Sequence, residues 1–245
     1  MAIWTSKNYK EYIKNAVIML SLLAIGIVLS IYVVENPQDS LVSRLVTYNK
    51  IHALLLQHIY IVAISSALAI LTAVPLGVFL TRTKFKKFAP IVVNIVNVGQ
   101  TIPSIAVVAL FVGILGVGAK TAIIALWIYS LLPILNNTLI GIGEVDRSII
   151  EAANGMGMKA RHVLTKVEIP LAMPMIIAGI RTSVTINIGS AILAAFVGGG
   201  GLGNFIITGN NISRWQVLVL GATLPVLMAL FADFAFGIIE KKIKA

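Results

Sequence analysis

Residues 144–170 read EVDRSIIEAANGMGMKARHVLTKVEIP, and the sequence on either side of them decides the fold. Upstream, Thr121–Ile142 is an almost unbroken apolar run, and downstream Ile169–Val197 is another. A helix that crosses a bilayer needs about 20 mainly apolar residues, because the hydrocarbon layer is about 30 Å thick and a helix rises about 1.5 Å per residue. Both runs reach that length, so the polar stretch reads as a loop between two crossings. Its basic residues Arg147, Lys159, Arg161 and Lys166 assign it to the cytoplasmic side.

Working outward, further apolar runs occupy Ala16–Val34, Leu54–Leu80, about Pro90–Val117, and Val217–Ile239. Alternating the loops between the two sides separates the charges. One side holds Lys7, Lys10, Lys14, Arg82, Lys84, Lys86, Lys87, the four loop cations, Lys241, Lys242 and Lys244, fourteen in all. The other side holds four, Arg44, Lys50, Lys120 and Arg214, and Arg181 falls within the fifth run. Six crossings with both termini in the cytoplasm satisfy the positive-inside rule throughout. Five would strand the C-terminal lysines on the wrong side.

Composition agrees. The chain is 245 residues, 58% hydrophobic and 11% charged, with mean hydropathy +0.98, whereas soluble domains carry about 25% charged residues. The net charge of +10 sits in short clusters between apolar runs, not on one face as a nucleic-acid binder requires. No cysteine is present, which excludes thiolate metal sites and cysteine nucleophiles. His52, His58 and His162 are too dispersed for a metal centre. The first apolar run exceeds a signal-peptide core and no A-x-A-like cleavage site follows it, so it reads as a retained helix. Trp4 and Trp215 flank spans as interfacial anchors, and Trp127 reads as a packing residue. Pro75, Pro103, Pro133 and Pro225 fall inside spans, where each removes a backbone donor and kinks its helix.

Within the loop, Ser148–Ala153 favours a helix with Glu151 in its first turn, where a carboxylate complements the dipole. Ala152, Ala153 and Gly157 are small enough for a partner surface to approach closely. Gly155 and Gly157 suit the end of the helix, and Pro170 suits the first turn of the next span. The spacing resembles the "EAA" motif of permeases of binding-protein-dependent ABC importers: Glu151-Ala152-Ala153, three residues, Gly157, nine residues, then Val167-Glu168-Ile169-Pro170 in place of Ile-x-Leu-Pro. That resemblance implies an all-α, polytopic type I importer fold, whose loop helix docks on a separate ATPase dimer through Glu151, Ala152, Ala153, Gly157, Ile169 and Pro170. It also implies a second permease, a homodimer mate or a paralogue, and an external substrate-binding protein. ATP and Mg²⁺ are then held by the ATPase, so the chain itself binds no cofactor or metal and is not an enzyme.

The resemblance narrows further. Val98–Ser104 (VGQTIPS), Gly155–Met158 (GMGM), Ala178–Ser183 (AGIRTS), Ile186–Gly189 (INIG) and Val197–Gly203 (VGGGGLG) are similar to permeases of osmoprotectant importers, which handle glycine betaine, choline or carnitine. Methionine-type permeases share the glycine-rich run, and a methionine or amino-acid-derivative solute is the alternative. The likeness covers about Leu56–Gly237, leaving the first helix outside it. It divides the chain into an N-terminal segment 1–52, a five-helix core 53–240 containing the loop 144–168, and a basic tail 241–245. It places the chain in the bacterial inner membrane.

Polar residues within spans are candidates for the solute path, since burying them in lipid is costly. Asn94, Asn97, Thr101 and Ser104 recur at helical steps with Gln100 beside them, and Ser183, Asn187 and Ser190 do the same in the fifth run; Asn136 stands with Asn137 in the fourth. Each set either lines a path or joins helices by hydrogen bonds. Pro103 and Gly198, Gly199, Gly200 and Gly201 are hinge or gate candidates. The glycine run and Gly155/Gly157 match dinucleotide fingerprints only in letters, because no strand precedes them. Intramembrane ion-coupling residues and internal repeats are missing, which speaks against an ATP-independent carrier.

Overall fold

The computed structural model describes residues 6–244, with side chains described for 14–243. Trp4, and the side chains of Lys7, Lys10 and Lys244, lie outside those residues. All regular structure among the described residues is helical. Apolar runs become α1 (Ser6–Glu35), α3 (Tyr48–Thr81) and, after the turns described below, the remaining crossings, while the connection between α1 and α3 folds as the short α2 (Ser40–Leu45). Asp39 caps α2 by accepting from the backbone N–H groups of Leu41 (3.0 Å) and Val42 (2.9 Å). Those donors, Val42 first, and the Arg214 guanidinium stabilise the charged form and hold this carboxyl below the ordinary carboxylate range.

The third apolar run is not one straight helix. It splits into α4 (Ala89–Thr101) and α5 (Ser104–Leu115), bent by 96° at Ile102–Pro103. Proline excludes the α conformation from the residue before it, and Ile102 is extended, with ψ 131°. Two contacts show that this elbow crosses the bundle. Before it, Arg82 pairs with Glu168, which immediately precedes α10 (Ile169–Ser190). Beyond it, Gly118 donates its N–H to the carbonyl of Val197, which lies past the far end of α10. The entry and exit of the elbow therefore sit at opposite ends of a 22-residue helix, about 33 Å apart at 1.5 Å per residue. Counted as one bent span, it brings the membrane-length helices among the described residues from five to six.

The fourth crossing is α6 (Ala119–Tyr129) followed by α7 (Leu131–Gly143), and the loop contributes α8 (Arg147–Gly155) and α9 (Ala160–Val163). The fifth differs from expectation. Pro170 stands in the first turn of α10 as expected, but helical backbone also runs in from Ala160 through a π turn, Leu164–Glu168. Proline within a helix removes a donor and crowds the carbonyl four residues back; the widened turn immediately before it relieves both problems. After α10 a 3₁₀ segment, Ala191–Val197, leads to α11 (Gly203–Asn211) and then α12 (Trp215–Lys244). The expected limits at 52 and 240 lie within α3 and α12.

α10 is central, packing against α7, α3 and α12. The α7–α10 seam is close enough to demand glycine: a Cβ on Gly179 would lie 2.6 Å from Asn137 Cβ and 2.8 Å from the Pro133 carbonyl oxygen. Three apolar clusters fill the interior. Leu135 and Ile176 belong to the one near the loop end, Ile61, Leu126 and Ala191 to the middle one, and Val33, Phe205 and Leu220 to the one joining α1, α11 and α12. α1 rests chiefly on α12. Their outer ends are fastened by Gln216, which donates to the Asn36 carbonyl (2.9 Å) and accepts from the Gln38 N–H (2.6 Å).

Candidate coupling site and solute path

α8 starts at Asp146, whose carboxylate accepts from the Ser148 N–H at 2.9 Å. That hydrogen bond keeps the carboxyl below its ordinary range. The helix therefore begins at Arg147, and Glu151 stands in its second turn. The expected dipole role for Glu151 belongs to Asp146. At the other end Met158 donates to the Ala153 carbonyl (3.2 Å) and Gly157 to that of Asn154 (2.9 Å). This is the paired closure of a helix by a left-handed residue, and Gly157 has φ +80° with open space around it. Gly157 is thus required by its backbone conformation, whatever approaches it from outside the chain. Ala153 is buried against its own subunit. What remains outward is Glu151 and Ala152, flanked by Ile149 and Met156, which are 43% and 76% exposed. Ile149, Ala152 and Met156 fall on one face at steps of three and four, an apolar stripe beside a carboxylate on a polar loop. Ile169 is half-buried and Pro170 exposed at the base of α10.

The span-five candidates are not on an open wall. Ser183 is buried and donates to the Ser130 carbonyl at 2.8 Å. The Asn187 amide, also buried, donates to Ser65 Oγ (2.7 Å) and Ser66 Oγ (2.8 Å) of α3. Both join helices, as expected where an unpaired polar group would face hydrocarbon. Ser190 is half-buried where α10 tightens into the 3₁₀ segment.

The span-three set does not form one stripe, because the elbow falls between Thr101 and Ser104. Asn94, Asn97 and Thr101 are exposed on α4, while Ser104 is half-buried on α5. Gln100 reaches across to donate to the Tyr129 carbonyl at 2.8 Å. Asn136 is half-buried, and Asn137 donates to the Pro133 carbonyl at 2.8 Å within α7. Trp127 packs at the centre and donates to Thr72 Oγ1 at 3.0 Å.

The glycine-rich run is fitted against α3. Gly198, Gly200 and Gly201 have φ between +69° and +86°. Gly201 donates its N–H to Gln57 Oε1 at 3.1 Å, and Gly199 to the Ala194 carbonyl at 2.8 Å. Beneath it His58 is fully buried, with Nε2 3.0 Å from the Ile188 carbonyl, a geometry only an N–H donor on Nε2 satisfies. Arg181 and Asp233, the two charges within spans, form a bidentate pair at 2.6 and 2.7 Å between α10 and α12, with Glu240 at 3.4 Å. Sequence reasoning missed Arg82–Glu168, Gln57 and Ser65/Ser66. Of these only Arg82 and Glu168 left a signal, as opposite charges at the ends of spans assigned to the same side.

A family model described as "binding-protein-dependent transport system inner membrane component" matches residues 73–245. The chain belongs to that family. It is thus the membrane-embedded permease component of an ABC importer, held in the inner membrane by several apolar helices. Over 187 residues it is 46% identical to the glycine betaine/carnitine/choline permease OpuCB of Bacillus subtilis, covering 76% of this chain and 85% of that one. It is also 46% identical over 188 residues to the carnitine permease OpuCB of Listeria monocytogenes, with the same coverages. With the osmoprotectant import permease OsmY of Salmonella typhimurium it shares 43% identity over 177 residues, covering 72% of this chain and 75% of the other. Among solved structures, an inward-facing form of the MetNI methionine ABC transporter superposes with TM-score 0.72 at 21% identity, over 79% of this chain and 96% of that one. That likeness establishes the fold, and the expected type I arrangement stands.

Proposed function

We propose that this permease imports quaternary-amine osmoprotectants, with the 144–168 loop in the cytoplasm docked on an ATPase dimer. The observation that carries the docking is the exposed face of α8, where Ile149, Ala152 and Met156 lie bare beside Glu151. An apolar stripe on a short polar loop has no reason to stay wet unless a partner covers it. The chain contributes the handle and the helices that move. Hydrolysis, with ATP and Mg²⁺, belongs to the partner.

A second permease, identical or paralogous, completes the path. Asn94 and Asn97 support this, since their side chains are exposed on α4 and make no hydrogen bond among the described residues. Unpaired amides at bilayer depth need water or a neighbour. An external binding protein delivers the solute at the end of the bundle where the glycine run and α11 lie. Relatives at 46% identity named for glycine betaine, choline and carnitine favour quaternary amines over methionine, for which the likeness is of fold.

The test is ATP-driven uptake by proteoliposomes carrying the permease, its ATPase and its binding protein. Betaine, choline or carnitine should accumulate and methionine should not; methionine uptake alone would overturn the substrate reading. Orientation has its own check. The chain contains no cysteine, so a single cysteine at exposed Asn210 on α11 reports one site. Impermeant maleimide should label it from outside intact cells, and labelling only after permeabilisation would reverse the topology.

A further inference from the structure

We infer that the Arg82–Glu168 ion pair is the strut through which the loop moves α3 together with α10. This rests on the coupling role proposed for α8. The covalent chain already carries any displacement of α8 into α10, because helical backbone continues from Ala160 through the π turn. α3 has no such connection. At the loop end it is held to the coupling segment by Arg82, the residue that caps its C-terminus.

The contact is built with care. Nη1 donates to Glu168 Oε1 at 3.2 Å, and Nη2 donates to Oε2. The guanidinium is braced from behind by Thr81, whose Oγ1 accepts from Nε (3.1 Å) and Nη2 (2.8 Å) and itself donates to the Val78 carbonyl (2.7 Å). Glu168 has a side chain only 10% exposed and ends the widened turn, where Ile169 N–H reaches back five residues to the Leu164 carbonyl. Two parallel bonds fix orientation as well as distance, and single-turn π widenings are frequent at functional positions.

Two further polar rungs tie α3 to α10 along their length. Ser65 and Ser66 hold Asn187, and His58 holds the Ile188 carbonyl. Arg82 lies at the loop end of this ladder and His58 towards the other. With the last rung closed, α3, α10 and the handle form one body, and α3 delivers the motion to the base of the α4–α5 elbow that follows it in the chain.

The experiment is a double-mutant cycle on the reconstituted complex: Arg82→Gln, Glu168→Gln and both together, read as solute moved per ATP hydrolysed. Each single variant should assemble with the ATPase and hydrolyse ATP, while the ratio falls about fivefold or more, the lower end of ordinary coupling energies. The double variant should be no worse than either single, because both remove one interaction. Unchanged ratios, additive losses, or variants that no longer assemble would each overturn the strut. Glu151→Lys serves as the control on the underlying reading. If it too transports normally, coupling through α8 fails; if it uncouples while the glutamine variants keep the wild-type ratio, only the strut fails.

Discussion

A Glu151→Lys variant is expected to insert and fold normally, yet to lose ATP-driven uptake by roughly tenfold or more. The carboxylate is exposed and takes no part in its own helix cap, which Asp146 supplies, so its replacement leaves α8 intact. What changes is the charge presented beside Ile149, Ala152 and Met156. Reversing a charge at an interface core costs several kcal/mol, and each 1.4 kcal/mol is about a tenfold change in affinity. The measurements are co-purification of the ATPase and stimulation of its hydrolysis by solute-loaded binding protein. Wild-type uptake and stimulation would remove Glu151 from the contact.

The second large effect is structural. Gly179→Leu should abolish accumulation of folded permease, and Gly179→Ala should already lower its melting temperature in detergent by several degrees. A Cβ there meets the backbone oxygen of Pro133 at 2.8 Å, and backbone does not step aside as a flexible side chain does. Overpacking of this kind costs about 1–3 kcal/mol for small additions and more for large ones. The comparison is Gly189→Ala, one α10 position where a Cβ meets nothing within 4 Å. It should melt at or above the wild-type temperature, because alanine favours helix by up to about 1 kcal/mol over glycine. Equal melting of the two alanine variants would mean that the α7–α10 seam is looser than described.

What could be read from the sequence followed from length and charge. Runs of about twenty apolar residues and the lopsided lysines fix the number of crossings and set the loop apart, because a bilayer imposes both requirements on any chain. The loop's residues carried the family as well, and Gly157 was assigned to the helix end for the reason that holds. Contacts between helices could not be read in the same way. Ser183 and Asn187 have the spacing of a path-lining stripe and the burial of a joint, and periodicity is the same for both. The Asn94–Ser104 stripe was drawn across a proline that bends the backbone by 96°; the proline was visible, its angle was not. The sequence alone suggests Glu151 for the first turn of α8, but Asp146 caps the helix and sets its start at Arg147. α2 and α11 are too short and too mixed in polarity to stand out from connecting loop.

The widened turn at Leu164–Glu168 also sets the angular phase between the two halves of the fifth crossing. With about 3.6 residues per turn, one residue is worth about 100° of rotation, so the additional residue held in that turn determines which way everything upstream of it faces. Rewinding the same residues as regular α-helix would swing Arg161, α8 and the bare Ile149–Met156 edge about a quarter-turn around the axis, whereas deleting one residue from the turn would leave them facing as they do. Within this stretch, register matters as much as side-chain identity, and a one-residue difference in length among related chains is most easily absorbed at this turn.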